Sequence, residues 1–211
     1  MGNLRWRRLS LKQVKVITKL QDFQKLCKQG DLLSIIRSEV SNWNYGLRGA
    51  CEGGHKKLVE LFIAKGADYW NWGLNSACQG GHKELVELMI TKGADDWNVG
   101  LYSACLGGHK DLTELMIAKG ANNYNLGLRG ACDGGHKELA ELMMANGAKD
   151  LNYSLQIACE RGHKELAELM MANGANNYNL GLIGACRGGD KELAMFFVAK
   201  GANPLYYTLD H

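Results

Sequence analysis

The chain has 211 residues, 46% of them hydrophobic, and its 25 lysines and arginines nearly balance 22 aspartates and glutamates. This composition is that of a folded soluble protein and excludes disorder as the main state. A single proline and 27 glycines favour helices separated by glycine turns over a multi-stranded β protein, which would need more varied turn residues.

Residues 1–20 form a basic segment that contains six lysines and arginines and no acidic residue. Three interpretations of this segment stay open: a basic helix or strand packed on the rest of the chain, a contact for nucleic acid or another acidic partner, and a targeting or membrane-surface signal. Basic side chains interrupt its apolar runs, unlike the apolar centre of a secretory signal, and no run approaches the ~20 residues of a membrane-spanning helix. We therefore expect a cytoplasmic protein without a transmembrane segment, and entry into the nucleus stays open.

Residues 21–45 are interpreted as a degenerate N-terminal capping repeat. The sequence Leu-Cys-Lys-Gln-Gly-Asp at 26–31 resembles a motif that recurs six times later in the chain. A shortened apolar helix with Leu32, Ile35, Ile36 and Val40 is expected to follow it. Terminal repeats of a stacked architecture differ from the inner ones because they shield an open end.

Residues 46–207 contain six copies of one 27-residue unit, and residues 208–211 form a C-terminal tail. One cysteine per copy recurs in a constant register, which is typical of a repeat architecture. Such regular spacing, in a protein expected to stay in a reducing cytosol, argues against a disulfide framework. The repeated cysteines are Cys51, Cys78, Cys105, Cys132, Cys159 and Cys186.

Each unit predicts two short helices. In the first copy Leu47 and Cys51 lie four residues apart, on one side of a helix that should stop at the glycine pair 53–54. A second helix is expected over 55–65. Arg161 replaces the first glycine of the pair once, which suggests that this position is not sterically strict. Helix pairs of this size cannot bury their own apolar side and must stack, so the sequence predicts an all-α solenoid.

The unit resembles the ankyrin repeat. Its Leu-x-x-Ala-Cys-x-Gly-Gly-His, followed by an apolar helix and Gly-Ala, is similar to the family's Leu-His-x-Ala-Ala-x-x-Gly-His and terminal Gly-Ala. The resemblance implies an ankyrin-like helical solenoid whose first helices line a concave groove. The unit of 27 residues is shorter than the family's usual 33, and the missing residues fall where the family has a β-hairpin finger. We expect these fingers to be shortened or absent.

The 27-residue form, with Trp-Asn or Tyr-Asn before Gly-Leu, resembles repeat proteins that large DNA viruses of amoebae encode in many copies. This likeness implies a viral factor that engages a host protein in the host cytoplasm. The aromatic residue is expected to seal neighbouring loops, and the asparagine to cap the next first helix.

Two candidate chemical sites are interpreted as architecture. Cys-x-x-x-His occurs in five copies, but each copy supplies two zinc ligands where a zinc site needs about four, and successive pairs stack ~10 Å apart. Five equal Cys/His pairs also lack the single asymmetric constellation, with a third orienting group, that nucleophilic catalysis needs. We expect a non-catalytic protein without a metal or cofactor.

Function is expected where the copies differ, because positions fixed by stacking are the same in every unit. Two variable positions lie four residues apart on the first helix and therefore share one side of the stack. Their mixture of side chains suits a protein partner better than a polyanion, with drift on a solvated surface as the alternative. Tyr102 with Leu106 is the candidate hot spot. The predicted partner-binding residues are Arg48, Glu52, Asn75, Gln79, Tyr102, Leu106, Arg129, Asp133, Gln156, Glu160, Ile183 and Arg187.

The last copy differs from the others at its second helix. Asp190 replaces the histidine, and Met195 replaces a glutamate that the five earlier copies contain. An apolar residue at the open end of a stack predicts a cover: either residues 205–211 fold back over it, or a partner or second copy docks there. The sequence thus predicts an adaptor or inhibitor that binds a protein through its first helices. The alternatives are self-association through the last repeat and nucleic-acid binding by residues 1–20.

Overall fold

The computed structural model describes residues 20–31, 34–35 and 42–204. In this part of the chain the regular elements are all helices and none is a strand, which confirms the predicted all-α fold. Helix α1 spans Leu20–Gln29, and repeats 1 to 6 follow it, each with a first and a second helix. The first helices are α2 (Trp43–Glu52), α4 (Trp70–Gly80), α6 (Trp97–Gly107), α8 (Tyr124–Gly134), α10 (Leu151–Glu160) and α12 (Tyr178–Gly188). The second helices are α3 (Lys56–Ala64), α5 (Lys83–Thr91), α7 (Lys110–Ala118), α9 (Lys137–Ala145), α11 (Lys164–Ala172) and α13 (Lys191–Ala199).

The helix pairs stack side by side, mainly through their first helices. Each first helix packs along the first helix of the next repeat and against its own second helix, whereas second helices of neighbouring repeats touch only weakly. The first helices therefore lie closer together than the second helices, which places them on the inner side of a curved stack. Helix α1 packs against α2 and continues the row of first helices toward the N-terminus. This arrangement is the predicted solenoid of helix pairs.

One apolar core runs through the stack. In repeat 1, Leu47, Ala50 and Cys51 of the first helix are fully buried. Val59 and Phe62 of the second helix are fully buried against them. Fully burying a large apolar side chain contributes ~1.5–3 kcal/mol relative to leaving it exposed. Because the core is continuous from repeat to repeat, each helix pair gains most of its stability from its neighbours.

The close approach of the first helices depends on small residues. A Cβ atom on Gly53 would lie 2.1 Å from the carbonyl oxygen of Lys28, and one on Gly49 would lie 2.2 Å from that of Gln24. Both distances are far below van der Waals contact, so a larger side chain would force the helices apart. The second glycine of the turn has a different role. Gly81 ends α4 in the left-handed conformation, with φ at 79°, as the sequence predicts.

Asparagine side chains link each repeat to the linker that follows it. The Asn44 Oδ1 atom accepts 2.9 Å hydrogen bonds from the backbone amides of Asp68 and Tyr69, which precede α4. This differs from the predicted cap, in which the side chain would hold amides inside the first turn of the helix. The equivalent asparagines of α4, α6, α8 and α10 make the same pair of bonds. These bonds fix the linkers without a β-hairpin finger.

The aromatic residue before this asparagine packs inward. Trp43 stacks on Phe62 with 6.1 Å between the ring centroids. In the last repeat, Tyr178 lies 6.3 Å from Phe197. Both contacts join the first and second helices of one repeat, so these rings close their own helix pair. The expected seal between neighbouring loops is instead provided by the asparagine bonds.

Residues 1–19, 32–33, 36–41 and 205–211 lie outside the described part of the chain, and with them most of the short helix predicted around Leu32 and Val40. The interpretations of the basic segment and of a cover over the last repeat therefore remain predictions, as do the domain limits. Over the described ranges, no helix combines the length and the apolar character that a membrane crossing requires.

Candidate interaction face of the first helices

The predicted partner-binding positions form two rows on the first helices, and we call this surface the first-helix face. Its residues are not equally accessible. Arg48, Gln79 and Arg187 are exposed, whereas Gln156 is only 8% exposed. The other predicted residues are half-buried. Gln156 is therefore the weakest candidate for direct contact with a partner.

A third variable position, which was not among the predicted ones, belongs to the same face. It lies three residues before the first predicted row, so one helical turn separates side chains on the same side of the helix. The signal was present in the sequence, because this position also differs between the copies. Trp72 and Tyr153 of this row are 39% and 42% exposed, which is high for aromatic side chains. The row consists of Tyr45, Trp72, Val99, Leu126, Tyr153 and Leu180.

The three rows meet in a cleft that α2, α4 and α6 enclose, and we call it the N-terminal cleft. Its volume is about 470 Å³. Edge-to-face contacts hold Trp72 on one wall, with ring centroids 5.7 Å from Tyr45 and 5.0 Å from Tyr69. Five predicted partner-binding residues lie around this one cavity. The lining residues are Arg48, Trp72, Asn75, Ser76, Gln79, Val99, Tyr102, Ser103 and Leu106.

Two polar groups of the N-terminal cleft lack partners among the described residues. Arg48 forms no ion pair with a described residue, and Glu52, one turn further along α2, bonds to Lys28. The Asn75 Oδ1 atom is buried and accepts no hydrogen bond. A buried oxygen without a donor costs ~1–3 kcal/mol. The cleft thus combines unused hydrogen-bonding capacity with an aromatic wall.

In the C-terminal half of the face, charged residues bond to one another, and Asp133 also bonds to Tyr102 of the N-terminal cleft. The Tyr102 hydroxyl donates a 2.8 Å hydrogen bond to Asp133 Oδ2. Asp133 also pairs with Arg161 of the following repeat, so one carboxylate connects three repeats. Burial, and then the hydrogen bond and charge of Asp133, raises the pKa of Tyr102 to about 12. The hydroxyl is therefore protonated, and a donor, at neutral pH.

A second internal cluster surrounds Arg129. Its guanidinium pairs with Asp150 and lies 4.4 Å from the centroid of the Tyr153 ring. A cation over an aromatic face contributes ~0.5–1 kcal/mol at an exposed site. Arg129 was predicted to bind a partner, but its charge and planar surface are already engaged within the chain.

The repeated histidines connect neighbouring repeats. His82 Nε2 lies 3.1 Å from the carbonyl oxygen of Glu52, and His109 Nε2 lies 3.1 Å from that of Gln79. Desolvation by burial raises the pKa of Cys78 to about 12, which keeps this thiol protonated and unreactive at neutral pH. Among the described residues, no group of three or more His, Cys, Asp or Glu side chains is arranged to hold a metal ion. These contacts support the structural interpretation of the Cys/His pairs.

The described part of the stack ends in an apolar surface at repeat 6. In an inner repeat, the first helix of the next repeat covers this surface. For example, a Cβ atom on Gly100 of α6, in repeat 3, would lie 3.8 Å from the sulfur of Cys78 of α4, in repeat 2. At the end of the stack the equivalent place holds a cavity of about 460 Å³, beside which Met195 is 73% exposed. Its lining residues are Leu182, Cys186, Ala194, Met195, Val198, Ala199 and Pro204.

Comparison with solved structures finds a similar fold. The human ASB11 ankyrin repeat domain matches with a TM-score of 0.51 and 22% sequence identity, over 74% of this chain and 84% of that chain. No protein-family model and no curated protein matches the sequence. The structural likeness therefore establishes the ankyrin-type fold and nothing finer.

Proposed function

We propose that this protein is a non-catalytic interaction module that binds a protein partner through the first-helix face. The observation that carries the proposal is the separation of roles within each repeat. The leucine, alanine and cysteine side chains that are the same in every copy lie mostly in the buried core, while three variable positions share one inner surface and enclose a cleft. Ankyrin-type folds generally mediate protein–protein interactions, which supports this use of the surface.

The chemistry of the face favours a protein over nucleic acid. A polyanion would select a continuous row of unpaired basic residues. Here Arg129 and Arg161 are already paired with carboxylates. Trp72, Tyr102 and Leu106 line the cleft instead. Aromatic residues and desolvated apolar pockets are typical of the centres of protein interfaces.

The specific role that we propose is an adaptor or an inhibitor, acting as a viral factor on a host protein in the host cytoplasm. The resemblance of the 27-residue unit to repeat proteins of large DNA viruses of amoebae supports the viral origin. An inhibitor needs only the first-helix face, whereas an adaptor needs a second binding surface, for which the apolar end of repeat 6 is the candidate.

Capture from host-cell lysate with matched variants tests the proposed face. The test variant combines Trp72→Ala with Leu106→Ala in the cleft. The control combines Leu61→Ala with Glu87→Ala, both exposed side chains on second helices. We expect the control to keep the partner that the unchanged protein captures, and the test variant to bind it at least tenfold more weakly, because hot-spot truncations cost ~2 kcal/mol or more. Equal retention by both variants, each as helical as the parent, would contradict the proposal.

Self-association is the second candidate function, and the open apolar cavity at repeat 6 favours it. Docking of a second copy would cover Met195 and its neighbours. We then expect the mass measured by light scattering to rise with protein concentration, and Met195→Glu to abolish that rise. A monomer at all concentrations would exclude this candidate. For nucleic-acid binding by residues 1–20, which are almost entirely outside the described residues, the diagnostic result is a steep loss of affinity with added salt.

A further inference from the structure

The two halves of the first-helix face differ in the number of groups still free to bond. In the C-terminal half, Asp133 and Arg129 are already bonded within the chain. In the N-terminal cleft, Arg48 and the Asn75 Oδ1 atom have no described partner. A partner gains more where it need not break internal bonds first. Specific recognition is therefore expected in the N-terminal cleft.

The size and the wall of the N-terminal cleft fit one large apolar side chain with its adjoining backbone. Its volume of about 470 Å³ lies in the lower part of the ~300–1,000 Å³ that ligand pockets span. Trp72, Val99 and Leu106 supply the apolar lining. Contacts with two tyrosines hold the Trp72 ring, so little side-chain entropy is lost when a partner packs against it.

The charge of the N-terminal cleft selects an acidic group. Arg48 is exposed, and the other residues that line the cleft are neutral, so the formal charge of the cleft is the single positive charge of Arg48. The nearest acidic residue along α2, Glu52, is neutralised by Lys28. A planar guanidinium without a partner binds a carboxylate through two parallel hydrogen bonds and repels a basic group.

Two amides in the cleft match the spacing of an extended backbone. Asn75 and Gln79 lie four residues apart on α4, which places them ~6 Å apart along the helix axis. Alternate residues of an extended strand are ~6.7 Å apart and present their N–H and C=O groups on the same side. The exposed Gln79 amide can both donate and accept, whereas the Asn75 Oδ1 atom is buried, so the Asn75 amide can bind a second backbone group only after its side chain rotates toward the cleft.

We infer that the N-terminal cleft binds an extended segment of the partner in which a carboxylate lies close to a large apolar side chain. The backbone lies over Asn75 and Gln79. The apolar side chain packs against Trp72 and Leu106, and the carboxylate pairs with Arg48. This inference rests on the proposed function and adds the chemistry of the partner segment to it.

A displayed library of random nine-residue peptides, selected on the full-length protein, tests the inference. We expect the enriched peptides to carry Asp or Glu within two residues of Leu, Ile, Phe or Trp. For a synthetic enriched peptide, Arg48→Gln in the protein should weaken binding about tenfold or more, as should replacing the peptide's acid by its amide. Both changes together should weaken binding little more than either alone. The matched control is Lys110→Gln, at an exposed lysine on the second helix α7 and outside the first-helix face, which should leave binding unchanged.

Three results would overturn the inference: enriched peptides without acidic residues, equal effects of Arg48→Gln and Lys110→Gln, or no enrichment at all. The proposed function fails by a different result, namely retention of a captured protein by the Trp72→Ala, Leu106→Ala variant. If the Trp72→Ala, Leu106→Ala variant loses the captured partner but the unchanged protein selects no peptide, the proposed function stands and only this inference fails.

Discussion

The junction between α8 and α10 is built differently from the other junctions between first helices. At the α6–α8 junction, a Cβ atom on Gly134 would lie 2.2 Å from the carbonyl oxygen of Leu106, so the two helices can approach only because the residue is glycine. One repeat later Arg161 stands at this position, and Ile157 replaces another small residue that faces the preceding helix. Accordingly, α8 and α10 pack less closely than any other pair of successive first helices in the described chain.

Long polar side chains span the wider junction. Arg161 reaches back to Asp133, and Arg129 reaches forward to Asp150. Exposed ion pairs contribute only ~0–1 kcal/mol each, less than the apolar contact that a close junction provides. The difference between the two junctions shows that glycine at this position lets successive first helices pack closely. Where arginine replaces the glycine, the junction depends on exposed ion pairs, which are weaker than close apolar contact. We therefore expect the α8–α10 junction to be the least stable link of the stack.

The largest expected effect comes from placing a Cβ atom in a close junction. Gly134→Ala would put a methyl group against the carbonyl oxygen of Leu106, and overpacking costs ~1–3 kcal/mol or more. With the clash at 2.2 Å, we expect a loss near the upper end, which exceeds the ~1 kcal/mol that alanine gains over glycine in a helix. The matched change Arg161→Ala should cost less than about 1 kcal/mol, since only an exposed ion pair is lost.

Urea unfolding followed by circular dichroism measures the free energy of unfolding of both variants. A loss for Arg161→Ala as large as that for Gly134→Ala would show that the two junctions are equally close, against the structure. If neither variant is destabilised, the proposed steric role of the glycine is wrong.

A smaller effect is expected at the asparagine links, which occur both at the closely packed junctions and at the wider α8–α10 junction. Asn98 and Asn125 each hold two linker amides at 2.7–3.0 Å, on opposite sides of repeat 4. Replacing either by alanine should cost ~1–2 kcal/mol, because two amides lose their acceptor. Asn179→Ala should cost about half as much, since Asn179 bonds to Asn203 and the following Pro204 has no N–H. Thermal unfolding of the three variants tests this order, and an equal cost at Asn179 would contradict it.

The repeating register was sufficient to predict the helix pairs and their stacking. Residues such as Leu47 and Cys51 fall at the same place in every copy, and a helix converts that spacing into one buried side. The role of Arg161 was predicted wrongly. One exception among the copies suggested a position without steric limits, whereas Gly134 and its equivalents in the other repeats face a carbonyl oxygen. Sequence alone does not give the distance between helices of different repeats.

The candidate face was predicted in outline and not in detail. Variable positions four residues apart identified two rows, and the same comparison extended three residues earlier would have found Trp72. The bonds within the face could not be predicted, because Tyr102 and Asp133 are 31 residues apart and meet only when the repeats stack. The burial of Gln156 likewise depends on how α10 sits against its neighbours.

The smallest expected effect concerns the Tyr102 hydroxyl, which holds Asp133 beside the wider α8–α10 junction. Tyr102→Phe removes this hydrogen bond and should cost ~0.5–1.5 kcal/mol at neutral pH. The contribution depends on pH because burial, followed by Asp133, raises the pKa of Tyr102 to about 12, above the value near 10 of an unfolded chain. A raised pKa in the fold stabilises the protein fully below pH ~10, and this stabilisation is lost as the pH rises through ~12.

The difference in unfolding free energy between the parent and Tyr102→Phe should therefore shrink between pH ~10 and ~12. Ionisation of the buried cysteines affects both proteins equally and cancels in this difference. Tyr153→Phe is the matched control at neutral pH: it keeps its ring under Arg129 and removes a hydroxyl that has no described hydrogen bond, so it should cost less than Tyr102→Phe. If the difference in unfolding free energy between the parent and Tyr102→Phe stays constant over this pH range, then Asp133 does not accept a hydrogen bond from the Tyr102 hydroxyl. The Asp133 carboxylate would then pair with Arg161 across the wider α8–α10 junction without a hydrogen bond from Tyr102 of repeat 3.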